Sequence, residues 1–177
     1  MELTEPRVFI ENRTFAEIQV GETARLARTL SREDIELFAV MSGDVNPAHV
    51  DEEYAHTDMF HGIIAHGMWG ASLISTLLGT RLPGPGTIYL EQTLGFRHPV
   101  MIADTVTVSV TATAKDPERQ RITFDCRCVN QRGEVVVDGT ATVIAPTEKV
   151  RRPQMALPEV RLREHGVLFR ELTDRVK

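Results

Sequence analysis

Ala65-His66-Gly67-Met68-Trp69-Gly70-Ala71-Ser72-Leu73-Ile74-Ser75-Thr76-Leu77-Leu78-Gly79-Thr80-Arg81-Leu82 carries no charge until Arg81. Met68, Trp69, Ala71, Leu73, Ile74, Leu77 and Leu78 recur on most faces of a 3.6-residue helix, with Gly67, Gly70, Ser72 and Ser75 interspersed. A helix apolar nearly all round is buried by the rest of its protein, and about 16 residues is too short to cross a bilayer. Pro83-Gly84-Pro85-Gly86 stops it. Four strand patterns come next: Thr87–Phe96, Val106–Ala114 with valine alternating with Thr or Ser, Arg121–Asn130, and Glu134–Ile144. Gln131-Arg132-Gly133 joins the last two as a hairpin turn. One apolar helix followed by consecutive antiparallel strands predicts an α+β fold in which the sheet wraps around the helix.

Working outward toward the N-terminus, strand-like pieces occupy residues 12–30, including Ala24 to Leu30 after the Gly21 turn. Ser31-Arg32-Glu33-Asp34 opens a helix, with Ser31 as cap and acids at the positive dipole end. Ile35, Phe38, Ala39 and Met41 give it a partial apolar face, and Gly43 ends it. Asp51 caps a further short helix over Glu52 to Ala55. Toward the C-terminus the pattern decays after Pro146. Residues 1–145 are expected to form one domain and residues 146–177 a linker and appendage, in which Arg161 to Lys177 has an amphipathic helical pattern weakened by Gly166.

A chain of 177 residues with 42% hydrophobic and 25% charged residues has enough apolar side chains for one core without staples. A net charge of −5 argues against non-specific nucleic-acid binding. No run is long enough for a membrane span, and Met1-Glu2-Leu3-Thr4-Glu5 lacks the basic and apolar regions of a signal peptide. Cys126 and Cys128, two apart on one strand, share a face and are poorly placed to bond each other, which suits a reducing, cytoplasmic setting. They read as small buried side chains.

The chemistry-bearing stretch is Ser42-Gly43-Asp44-Val45-Asn46-Pro47-Ala48-His49-Val50-Asp51. Asp44 and His49 lie five positions apart across a Gly/Asn/Pro turn that can bring both side chains to one point. A carboxylate and an imidazole together can take a proton from water and give one to carbon. The same residues also make a plain Asx turn, with Asp44 and Asn46 bonding the local backbone and His49 packing. His66-Gly67 at the helix opening is the second candidate. First-turn N–H groups lack intrahelical partners, and the absent side chain of Gly67 would let a ligand oxygen approach and find stabilisation there. Gly67 equally suits close helix–sheet packing. His49, His56, His61 and His66 follow no familiar zinc spacing, so no metal is expected. No glycine pattern supports phosphate or dinucleotide binding.

Gly43-Asp44-Val45-Asn46-Pro47-Ala48-His49-Val50-Asp51 resembles the hydratase motif of the MaoC-like (R)-specific enoyl-CoA hydratases. Ile64-Ala65-His66-Gly67-Met68 is similar to that family's entry into its central helix. Gly86-Thr87-Ile88-Tyr89-Leu90, then Phe96-Arg97-His98-Pro99-Val100 and Asp104-Thr105-Val106, is similar to the family's strand after that helix. The likeness spans roughly residues 12–145, in order. It implies a hotdog fold, a homodimer or higher homo-oligomer, an acyl-CoA substrate with no further cofactor, and addition of water to trans-2-enoyl-CoA to give (R)-3-hydroxyacyl-CoA. Carried onto this chain, Asp44 and His49 would be the catalytic pair, and the Gly67 N–H, beside His66, would bind the thioester carbonyl. Asn46 would brace the turn, and Ser75 matches a position near the site that is often serine. Residues 146–160 and the segment beyond are similar to the part that joins such a hydratase to a phosphate acetyltransferase-like or butyryltransferase-like domain in some bifunctional proteins. A hotdog thioesterase and a non-enzymatic acyl-CoA-binding module share the fold and stand as alternatives.

Overall fold

The computed structural model describes residues 8–162. In chain order these form β1 (Phe9–Glu11), β2 (Thr23–Thr29), α1 (Arg32–Ser42), α2 (Pro47–Val50), α3 (Glu52–Thr57) and α4 (Gly67–Thr80). Then come β3 (Ile88–Gln92), β4 (Gly95–Phe96), β5 (Thr105–Asp116), β6 (Arg121–Asn130), β7 (Val135–Ile144) and β8 (Arg151–Pro153). The main sheet is antiparallel, in the order β2-β5-β6-β7-β3, with β4 also paired to β7. It carries α4 against its inner face, the α+β arrangement that the sequence pattern predicts and the hotdog fold that the family resemblance implies.

Period-2 alternation decides which face is inside. Val106, Val108, Val110 and Ala112 of β5 are buried, as are Ile122, Phe124, Cys126 and Cys128 of β6. Trp69, Leu73, Ile74, Leu77 and Leu78 of α4 pack into the same core. Gly70 lets the helix approach closely, because an added Cβ there would stand 3.2 Å from Cγ2 of Val137. α4 begins at Gly67 and keeps one stripe open: Met68, Ser72, Ser75 and Gly79 are exposed. The sheet covers only part of the helix circumference, and Ser72, Ser75 and Gly79 fall on the uncovered side.

Both free cysteines are fully buried on one face of β6, as expected, and burial pushes each thiol up to about 12. The stretch expected as one strand over Thr87–Phe96 is broken in two. Between the pieces Thr93 crosses over Gly139, where a Cβ would lie 1.9 Å from the Thr93 carbonyl oxygen. Thr93 N–H donates to the Thr140 carbonyl at 2.8 Å, which holds the crossing in place.

Ser31 caps α1 in a full capping box with Asp34, and Gly43 ends it at φ 76° with its N–H donating to the Ala39 carbonyl. Ile35 and Ala39 are buried as expected, whereas Met41 is 74% exposed, because it lies off the face that meets the core. After Ala145 the chain stays attached for several more residues than the sequence suggested. Fully buried Asn12 donates to the carbonyls of Pro85 and Glu148 and accepts from Val150 N–H. β8 pairs with β1. Residues 154–162 are exposed and without regular structure. The amphipathic pattern over 161–177 falls almost wholly outside the described residues.

Candidate active site

The turn after α1 is held by its own side chains. Asp44 N–H donates to Ser42 Oγ at 3.1 Å, and Asp44 Oδ1 accepts from Asn46 N–H at 3.2 Å. Asn46 Oδ1 in turn accepts from Ala48 N–H at 3.1 Å, so Asn46 caps α2, with Pro47 at its first position. The Asx turn foreseen as an alternative is therefore present. It does not exhaust the chemistry, because it occupies one carboxylate oxygen of Asp44 and neither imidazole nitrogen of His49.

α2 was not foreseen as a helix. Its single turn points His49 at the segment leading into α4. There His49 Nδ1 lies 2.9 Å from the Ile64 carbonyl oxygen. A carbonyl only accepts, so Nδ1 carries hydrogen and Nε2 is the nitrogen left to exchange a proton. Two backbone bonds anchor the same segment: Ile64 N–H to the Ala48 carbonyl at 3.3 Å and Ala65 N–H to the Val100 carbonyl at 2.8 Å.

His66 is 3% exposed. Its Nε2 lies 3.0 Å from the Asp44 carbonyl oxygen. Its ring lies against His49, with centroids 4.0 Å apart and planes tilted by 33°, and against Phe38 at 4.8 Å with a tilt of 31°. Asp44, His49 and His66 each bring one metal-ligating atom to within 4.8 Å of the others. His56 and His61 are not part of that group. Each clustered imidazole already commits one nitrogen to a carbonyl, leaving His49 Nε2 and His66 Nδ1 as the nitrogens that could take an ion.

His49, His66 and Gly67 line one cleft of about 310 Å³, walled mainly by apolar side chains including Phe60, Trp69, Phe96 and Val137. Its size and lining suit a small apolar group held beside a few polar ones. Gly67 is the first residue of α4, so its N–H has no acceptor within the helix. Phe96 fills the space beside it: a Cβ on Gly67 would lie 2.8 Å from Phe96 Cε1. Packing is thus one reason for this glycine. Ser75 is exposed on the open stripe of α4 and lines a different groove of about 340 Å³ with Phe38, Met68 and Tyr89. The two openings share the neighbourhood of Phe38, which touches His66 on one side and borders the second groove on the other. Burial pushes the Tyr89 phenol up to about 12, so it stays neutral.

Sequence reasoning missed the links from Asp44 to His66 and from His49 to Ile64. Their partners are 22 and 15 residues apart, and no periodicity reports such contacts. It also missed Phe60, Trp69 and Phe96 as cleft walls.

The MaoC like domain matches residues 14–131. The chain is 53% identical over 132 residues to the (R)-specific enoyl-CoA hydratase of Rhodospirillum rubrum, covering 75% of this chain and 91% of that protein. It is 45% identical over 139 residues to the 3-hydroxybutyryl-CoA dehydratase of Methylorubrum extorquens, covering 78% of this chain and 88% of that protein. Among solved structures, the R-hydratase PhaJ1 of Pseudomonas aeruginosa superposes with a TM-score of 0.84 at 42% identity, covering 88% of this chain and 99% of the other. With the motif residues gathered at one end of the central helix and the match running through the body of the fold, this chain belongs to the MaoC-like domain family.

Proposed function

We propose that the protein is an (R)-specific enoyl-CoA hydratase, adding water across a trans-2-enoyl-CoA to give an (R)-3-hydroxyacyl-CoA. The observation that carries this is the turn that brings Asp44 to His49 while the Ile64 carbonyl leaves His49 Nε2 as the reacting nitrogen. The pair works with one proton between its members. The Asp44 carboxylate takes a proton from a bound water as the water oxygen bonds to the β-carbon. The electron pair of the double bond moves to the α-carbon and the thioester oxygen. His49 Nε2–H then delivers a proton to the α-carbon, and the proton left on Asp44 passes to His49 to restore the pair. The Gly67 N–H, at the positive end of α4, faces the charge that develops on the thioester oxygen. Asn46 holds the turn. Ser75 stands apart from these groups, in the second groove. The chemistry needs no group beyond the coenzyme A of the substrate.

The proposal extends to a homodimer, through the edge of the main sheet. β3 is the last strand and exposes Ile88, Tyr89 and Leu90. An apolar open edge of this kind favours pairing with a second copy. A cytoplasmic setting belongs to the same reading. No helix among the described residues is long and apolar enough to cross a membrane, and both cysteines are free.

Crotonyl-CoA turnover followed at the enoyl absorbance, beside a thiol-release assay, tests the reaction. Loss of the enoyl signal without free thiol, giving the (R)-3-hydroxy product, is expected. Thiol release without hydration would establish the thioesterase reading instead. Binding with neither reaction would establish an acyl-CoA-binding module.

A further inference from the structure

Nothing in the proton transfers of hydration requires a buried second imidazole, yet His66 is one of the few buried polar side chains among the described residues. As the residue before α4 it occupies the cap position but makes no capping hydrogen bond, and histidine is not a favoured cap. Local helix chemistry therefore does not account for it. Among the described residues, the one hydrogen bond of its side chain runs back 22 residues to the Asp44 carbonyl at 3.0 Å, and its Nδ1 has no partner. Because that carbonyl only accepts, the hydrogen is on Nε2.

We infer that His66 is the positioning residue that sets the Asp44–His49 pair against the Gly67 N–H, an inference that rests on the hydratase reading. Three contacts converge on this one side chain. Its Nε2–H holds the backbone of Asp44. Its face carries the His49 ring at 4.0 Å, while Phe38 of α1 backs it at 4.8 Å. Its own peptide bond leads directly into Gly67. The group that handles the proton of water and the group that receives the carbonyl charge belong to segments far apart in sequence, and His66 joins them from the α4 side as His49 does from the α2 side through the Ile64 carbonyl. Losing it leaves both sets of groups present but shifts one against the other, which lowers turnover more than it weakens binding. A misplacement of about 1 Å is enough to cost on the order of 10²-fold in rate.

Two substitutions separate the hydrogen bond from the ring. His66→Gln keeps an N–H donor at similar reach and loses the ring. His66→Phe keeps a ring and loses the donor. The measurements are kcat and KM for crotonyl-CoA, the urea unfolding midpoint, and nitrogen-15 spectra of the histidine rings in the free proteins. In the wild type, His66 is expected as the Nε2–H tautomer. His66→Phe lowers kcat by about 10- to 100-fold with KM within about twofold, and it moves the His49 ring resonances. His66→Gln recovers most of that loss. An Nδ1–H tautomer, or a folded His66→Phe protein with wild-type kcat, overturns the proposal. If His66→Phe does not fold, the tautomer and the His66→Gln kinetics decide it. A wild type that fails to hydrate enoyl-CoA sinks the hydratase reading, whereas the ring spectra still report on the Asp44–His66 link.

Discussion

Replacing Gly67 by alanine and by proline isolates one backbone N–H. Both substitutions add a Cβ, which would sit 2.8 Å from Phe96 Cε1 and 3.0 Å from Phe96 Cδ1. Ordinary carbon contacts lie at roughly 3.5–4.0 Å, so the Phe96 ring must retreat by about 0.7–1.2 Å in either variant. Phe96 is 56% exposed and can swing outward, so the stability change should stay within about 1 kcal/mol. Proline differs from alanine here chiefly in lacking the N–H. Position 67 is the first of the helix, where proline is tolerated, and His66 at φ −57°, ψ 133° already has the backbone that a residue before proline prefers. Losing one oxyanion donor costs on the order of 10²–10³ in rate. Gly67→Pro should therefore fall about that far below Gly67→Ala in kcat for crotonyl-CoA hydration, with unfolding midpoints close together. Equal kcat values for the two folded variants would show that the Gly67 N–H binds nothing in the transition state and that the glycine serves Phe96 packing alone.

Asp104 is 3% exposed. Burial would raise its pKa, but hydrogen bonds from Arg132, the Met101 N–H and Gln131 outweigh that and hold the carboxyl below its usual range. Its contribution is complete above the unfolded value of about 3.9 and is lost as pH falls through the lower folded value. Urea midpoints measured against pH should drop more steeply below about pH 4 in the wild type than in Asp104→Asn, and parallel curves would contradict this. Asp104→Ala at neutral pH should cost roughly 2–3 kcal/mol in the same titration, below the range for a fully buried pair because Arg132 is half exposed. Cys126 and Cys128 should resist alkylation in the native protein and react only on unfolding, as mass spectrometry after iodoacetamide would show. The wild type should sediment as a dimer and Leu90→Arg, on the open edge of β3, as a monomer; a monomeric wild type, or a variant that stays dimeric, would contradict pairing through this edge.

The central helix and the long strands were legible because their patterns are local. An uncharged apolar stretch ended by Pro83-Gly84-Pro85-Gly86, and valines alternating along Val106 to Val110, each have one structural solution. Caps at Ser31 and Asp51 were equally readable, since a cap is made within four residues. The break between β3 and β4 was not, because it depends on Gly139, over forty residues away, leaving room for the Thr93 carbonyl. Nor was the return of β8 to β1, which depends on Asn12 meeting Glu148 and Val150. The site divides in the same way. Asp44, Asn46 and His49 are visible as a turn motif, whereas the carbonyl contacts that orient the His49 and His66 rings exist only once α2 is folded against the entry to α4.

The pairing of Asp44 with His49 is tested most directly by a double-mutant cycle on steady-state hydration of crotonyl-CoA, using Asp44→Asn, His49→Ala and the double variant, each with its unfolding midpoint recorded. Positioned proton transfer is worth about 10²–10⁴ in rate. Each single variant should lose kcat on that scale while remaining folded, and the double variant should be little worse than the poorer single one, because the two groups serve one water. Near-wild-type kcat in either folded single variant, or losses that multiply in the double, would contradict a shared role for the pair.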